Sequence, residues 1–220
     1  MNSSKMPVAS AKVSTPNVRD AERTQQSILD VATAEFAERG LAGARIDEIA
    51  EKTSTSKRMI YYYYGSKDEL YRAVLERAYL HIRDREASEK FETLPAADAL
   101  AALVQHTFDY HAAHPEFVRL VMSENIQQGA HIGHVAGIKE RNQGIIAQLR
   151  AILDKGAAEG RFRQGISPTD LHMTISALCF YNVSNRYTFA HNFSVDMGDA
   201  GVAARRKAQI VDIILRWVKE

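Results

Sequence analysis

Residues 53–67 read TSTSKRMIYYYYGSK. Four consecutive tyrosines are unusual in a soluble chain. On a helix, successive positions turn by about 100°, so four neighbouring rings reach round most of the circumference. One buried face does not use them all, and an element that carries them packs some inward and offers the others to a partner. The serine/threonine run before them supplies turn and N-cap residues. Between Lys52 and Lys67 lie four basic residues (Lys52, Lys57, Arg58 and Lys67) and no acidic one, in a chain whose net charge is only +1. A phosphate-facing surface belongs in such a local patch.

Working outward, residues 20–39 carry a helical stripe of Ile28, Leu29, Ala32 and Phe36, and Gly40 is a stop signal. A short helix is expected over 46–52, turning Ile46, Ile49 and Ala50 inward. A second is expected over 56–63. Ser66 precedes Glu69 by the three residues of a capping box, opening a longer helix to about Arg85. Two short helices joined by a turn let the first brace while the second enters a DNA major groove. Residues 1–18, rich in Ser, Pro, Ala and Lys without a sustained period, read as a disordered tail.

The remaining residues also read as helical. Helices are expected over 96–113, 115–127, 132–159, 169–190 and 203–218, bounded by Pro95, Pro115, Gly160 and the Ser167–Pro168 pair. The fold class is therefore all-α, with about nine helices. The expected divisions are a tail over 1–18, a helix-turn-helix domain with its linking helix over 19–85, and a second helical domain over 86–220. The single cysteine, Cys179, excludes an internal disulfide and a multi-thiolate metal site, and its apolar surroundings suit a buried small hydrophobe. No apolar run reaches the ~20 residues of a membrane span, and the start of the chain lacks the apolar core of a secretory signal. A cytoplasmic protein without a membrane partner is expected.

Residues 23–70 resemble the DNA-binding domain of the TetR family of bacterial transcriptional regulators. The resemblance rests on Ile28, Ala32, Phe36, Gly40, Ile46, Ile49, Ala50, Ser56, Tyr61, Tyr64, Lys67 and Leu70 and on the spacing between them. It covers about a quarter of the chain. Ser54 and Arg58 stand at positions where the family prefers glycine, Ala44 replaces a hydroxyl residue, and Tyr64 replaces phenylalanine. The resemblance implies a homodimer on palindromic double-stranded operator DNA, released when a small-molecule effector occupies the C-terminal bundle. It also implies an inward pair of Tyr61 and Tyr64, leaving Tyr62 and Tyr63 for DNA.

The expected DNA-facing set is Arg23, Thr24, Thr55, Ser56, Lys57, Arg58, Met59, Tyr62, Tyr63 and Lys67. The expected effector set is His106, Tyr110, Phe117, Met122, Asn125, Met173, Tyr181 and Asn185, drawn from polar and aromatic residues that punctuate apolar stripes. Histidines near aromatic rings suggest a polar or anionic aromatic effector. The expected dimer face is Leu171, Ile175, Leu178, Ile210, Ile213, Ile214 and Trp217. No cofactor is expected. The histidine pairs 111/114 and 131/134 have helical spacing but no cysteine cluster or HExxH, so no metal is assigned. Paired catalytic carboxylates, a Ser/His/Asp order and a phosphate-cradling glycine loop are missing from the sequence, and no enzyme is expected. Two other readings fit the same residues. One is a DNA-binding regulator controlled by a protein partner or by nothing, the other a helical ligand carrier or enzyme that does not use its head.

Overall fold

A computed structural model describes residues 18–219 apart from residue 90, so the tail expected over 1–18 falls almost wholly outside the described residues. Among the described residues there are ten α-helices: α1 (Val18–Gly43), α2 (Ile46–Lys52), α3 (Lys57–Tyr64), α4 (Lys67–Ser88), α5 (Ala96–Ala113), α6 (Pro115–Ile126), α7 (Ile138–Ala158), α8 (Pro168–Ser184), α9 (Arg186–Phe193) and α10 (Ala200–Val218). The segment expected as one helix over 169–190 is broken at Asn185, which ends α8 and starts α9. The segment expected over 132–159 begins only at Ile138, because Gly137 is left-handed (φ 70°) and a short 3-10 turn occupies Ile132–His134.

Local chemistry accounts for the helix ends near the tyrosine run. Ser56 Oγ accepts from the Met59 N–H (3.2 Å) and Ser66 Oγ from the Glu69 N–H (3.1 Å), so both helices start on a side-chain cap. Gly65 (φ 75°) ends α3 in a conformation open to glycine. Gly40 (φ 65°) kinks α1 rather than ending it, and one further turn follows.

The head is α1–α3 with the first half of α4, around Ile28, Phe36, Ile49, Ile60, Leu70, Tyr71 and Val74, all fully buried. Leu120 of α6 and Val135 belong to this same core. A second core joins α5, α7, α8 and α10 through Leu100, Leu103, Leu149, Leu171, Ile175, Ile210 and Ile214. Helix α4 spans both regions. Among the described residues no helix is long and apolar enough to cross a membrane.

Candidate nucleic-acid interface and internal chamber

The two faces of α3 differ. Ile60 is fully buried, and Tyr63 and Tyr64, one turn on, pack against the head core. Tyr64 Oη donates to the Gln25 carbonyl (3.0 Å), which ties α3 to α1. Tyr62 is 76% exposed and Tyr61 43%. Of the expected inward pair, Tyr64 packs inward and Tyr61 does not, while Tyr63, expected to face DNA, packs against the core instead. The apolar anchor is Ile60, and its i+3 and i+4 neighbours are Tyr63 and Tyr64, so Tyr61 turns outward. The signal was the one aliphatic residue in the run.

Ser56, Lys57, Arg58 and Tyr62 stand exposed on the outer face, with Thr55 and Met59 half-buried at its edge. Arg58 has no ion-pair partner among the described residues, whereas Lys57 pairs with Asp47. Arg58, Met59, Tyr62 and Tyr63 form one wall of an open groove, and Ala21, Glu22 and Gln25 of α1 form the other. The remaining expected members lie to the sides. Arg23 is exposed, 3.9 Å from Asp20, and Thr24 Oγ1 donates to the Asp20 carbonyl. Lys67 Nζ donates to the Ala42 carbonyl at 3.5 Å. Arg39, Lys52 and the Arg45 N–H converge on Glu35, a carboxylate only 1% exposed that clamps α1 to both ends of α2.

A chamber of about 370 Å³ lies where α4, α5, α6, α7 and α8 meet. Its apolar wall includes Tyr79, Ile82, Phe117, Val121, Ile146 and Phe180, and its polar wall Arg83, Glu86, Thr107, His111, Asn142, His172 and Ser176. Arg83 Nη1 donates to Glu86 Oε2 (2.5 Å) and Arg83 Nε to Asn142 Oδ1 (2.7 Å). Burial raises the Glu86 carboxyl above its usual range, against the pull of Arg83. Burial lowers His111 to about 4, with Arg83 and His172 pushing the same way against a hydrogen bond to the Cys179 backbone. Burial and Arg83 lower His172 to about 4 as well. Both imidazoles are therefore neutral near pH 7, and His111 Nδ1 is buried without a hydrogen-bond partner.

Of the eight residues expected to meet an effector, only Phe117 lines this chamber. Tyr110 is buried behind it, with Oη 2.9 Å from His81 Nδ1. His106 packs beside Phe91, 3.8 Å from the Glu89 carboxylate. Met122, Met173 and Tyr181 are exposed, and so is Asn125, whose side chain donates to the Val121 carbonyl. Asn185 caps α8 and bonds Ser184. A stripe pattern does not tell which of two helix faces looks inward when both carry apolar residues, as α8 does. Arg83, Glu86, Asn142 and His172 were missed because charged and amide residues on long helices read as solvated surface.

The expected dimer face is also corrected. Leu171, Ile175, Ile210 and Ile214 are at most 1% exposed in the single protomer and belong to its own core. Leu178 and Trp217 are half-buried against that core, and the Arg163 guanidinium lies over the Trp217 ring at 5.7 Å. Of the seven, only Ile213 is exposed, at 44%. The outer stripe of α8 is Met173, Ala177 and Tyr181. Among the described residues, no three His, Cys, Asp or Glu side chains converge as a metal site.

Comparison with known proteins gives this geometry a family. Residues 28–74 match the model of bacterial regulatory proteins of the tetR family, and residues 97–214 match the tetracyclin repressor-like C-terminal domain. The HTH-type transcriptional repressor NicS of Pseudomonas putida is 34% identical over 201 residues, covering 91% of this chain and 95% of the relative. The HTH-type transcriptional repressor SCO4008 of Streptomyces coelicolor is 37% identical over 167 residues, covering 75% and 81%. Among solved structures, a tetR-family regulatory protein from Rhodococcus RHA1 superposes with a TM-score of 0.70 at 21% identity, over 90% of this chain and 97% of that one. Matched by both domain models and by full-length relatives, this chain belongs to the TetR family of bacterial regulatory proteins.

Proposed function

We propose that the protein is a homodimeric transcriptional repressor that grips a palindromic operator through α3 and lets go when a small aromatic molecule fills the chamber. The observation that carries this reading is the asymmetry of α3. Its inner face is locked by Ile60, Tyr63 and Tyr64, while Ser56, Arg58 and Tyr62 stand outward with a basic side chain unpaired. An outward helix with a free guanidinium and a phenol suits base edges and phosphates in a major groove. The relatives named as repressors support the sign of regulation.

Two copies meet, on this reading, through the outer stripe of α8 (Met173, Ala177, Tyr181) and Ile213 of α10. A two-fold axis there sets two copies of α3 on successive grooves, ~34–36 Å apart or a multiple of that. Coupling runs through α4. Leu70, Tyr71 and Val74 at one end lie in the head core, and Arg83 at the chamber lies thirteen residues beyond Leu70, ~20 Å along a helix. A guest that shifts α4 changes the separation of the heads and so the fit to DNA.

The test is selection of randomised duplex DNA on the full-length protein, followed by sequencing. A palindromic consensus, released by a small molecule and not by a chamber-filling Ser176→Phe variant, is the expected result. Retention of no sequence at low salt overturns the reading. A palindrome indifferent to small molecules would leave a regulator under another control.

A further inference from the structure

Building on the chamber as an effector site, we infer that its guest is a small planar aromatic carboxylate, whose negative charge takes Arg83 in place of Glu86. The shape argument comes first. About 370 Å³ is near the lower end of ligand sites, which run ~300–1,000 Å³. Tyr79, Phe117 and Phe180 furnish aromatic wall, and His111 lies nearly parallel to Phe117 (5.9 Å, 18°). A flat ring can lie against such surfaces.

Charge then decides the class. Arg83 and Glu86 are the charged residues on the wall, and they neutralise each other. The two differ in what they can give up. Glu86 can become neutral by taking one proton, a change that its burial already favours. Arg83 cannot lose its proton in a protein. An added anion is therefore accommodated: it forms the bidentate pair with Arg83, and Glu86 takes a proton from solvent. An added cation has no such compensation, because Arg83 stays charged and the neutral imidazoles of His111 and His172 have no proton to release. A neutral guest leaves the existing pair in place and gains little from Arg83, whose Nε and Nη1 are already engaged. Other groups also face Glu86, and His106 pulls against its burial. His106 and Tyr110 of α5 act on it through space, Arg141 of α7 shares the outer recess with it and Asp84 sits at that recess's rim, while Arg83 bonds it directly.

Two further features agree. His111 Nδ1, in a residue 3% exposed, has no partner and suits a ring substituent that carries an N–H or O–H. A recess of about 270 Å³ between α4 and α7 shares Arg83 and Glu86 with the chamber, so this pair stands between the two. Gly144, mid-helix in α7, lines that recess, and a Cβ there would meet no atom within 4 Å.

The test is calorimetric titration of the full-length protein with benzoate and 2-naphthoate, their carboxamides, and benzylammonium. The carboxylates are expected to bind at least about tenfold tighter than the carboxamides, with benzylammonium weakest. Their binding takes up close to one proton, so affinity falls about tenfold per pH unit while free Glu86 is ionised. Glu86→Gln removes the proton uptake and tightens carboxylate binding. The double variant R83Q/E86Q, which strands no charge, loses the preference for carboxylate and keeps the carboxamide. Equal binding of carboxamide and carboxylate, or a preference that survives in R83Q/E86Q, overturns the inference while leaving the chamber as an effector site. Failure of every probe, charged or neutral, to bind in a way that Ser176→Phe abolishes overturns both.

Discussion

The head and the bundle differ in how completely they meet their buried polar groups. In the head, Glu35 is sealed at 1% exposure, yet it receives Lys52 Nζ at 3.1 Å, Arg39 Nε at 3.3 Å and the Arg45 N–H at 3.4 Å. In the bundle, His106 Nε2, His111 Nδ1 and Asn182 Oδ1 are buried with no partner. The first half of α4, in the head, carries two more such atoms: Arg72 Nε, and Tyr71 Oη, which faces Ser123 and Glu124 of α6 without reaching a good hydrogen bond. Buried polar atoms are nearly always paired, so an unpaired set marks a place where something is missing. The head's buried carboxylate is fully met, and its exposed helix α3 faces outward. The bundle is left incomplete inside.

The largest effect tests whether the two regions are separable. Leu120 sits on α6, within the C-terminal family match, but is 1% exposed in the head's core. Leu120→Ala should cost about 2–5 kcal/mol of stability. Hydrogen exchange should show the loss in α1 and α4 of the head as well as in α6. Loss of protection confined to the bundle would break the coupling argued above.

Next in size is Arg58, the exposed guanidinium of α3. Arg58→Ala should lower affinity for the selected operator by about 1–3 kcal/mol and relax preference at one base pair. Lys57→Ala should do less, because Lys57 is partly occupied by Asp47. Equal losses on specific and random DNA would make Arg58 a phosphate contact instead.

The legibility of the two regions follows the same division. Ser56, Ser66 with Glu69, and the inward Ile46, Ile49 and Ala50 are rules of a single turn of chain, and they set the head without knowledge of the rest. Tyr61 was misplaced by one face only because Ile60 outranks it as the anchor. The chamber draws on five helices, and no local rule says that Arg83 and His172, 89 positions apart in the chain, share a wall. Ile175 and Ile214 likewise read as an interface because apolar stripes look the same whether the protomer or its partner covers them.

Acid should weaken the bundle before the head. His111 is held near 4 against an ordinary 6.5, so the unfolded chain binds a proton that the folded chain refuses. Its contribution is whole above about pH 6.5 and is lost as pH falls toward 4. Between pH 7 and 5 the loss from this one residue is about 2 kcal/mol. Urea denaturation at the two pH values should show it, and His111→Gln should flatten that difference. An unchanged pH dependence in the variant would place the acid sensitivity elsewhere.

The smallest effect sits in the turn between α2 and α3. Ser54 holds φ at 51°, a left-handed conformation that disfavours any residue with a Cβ. Its N–H still donates to the Glu51 carbonyl (3.1 Å), so the turn itself is made, and the cost is the crowding of its Cβ against its own backbone. Ser54→Gly should therefore stabilise the head by up to about 1 kcal/mol, less than the strain alone because glycine loses more freedom on folding. Operator affinity should hold steady, since α3 keeps its Ser56 cap and its Ile60 anchor. A stabilised head with weakened DNA binding would instead mean that the serine hydroxyl reaches the duplex, and the outer surface would then extend back into the turn.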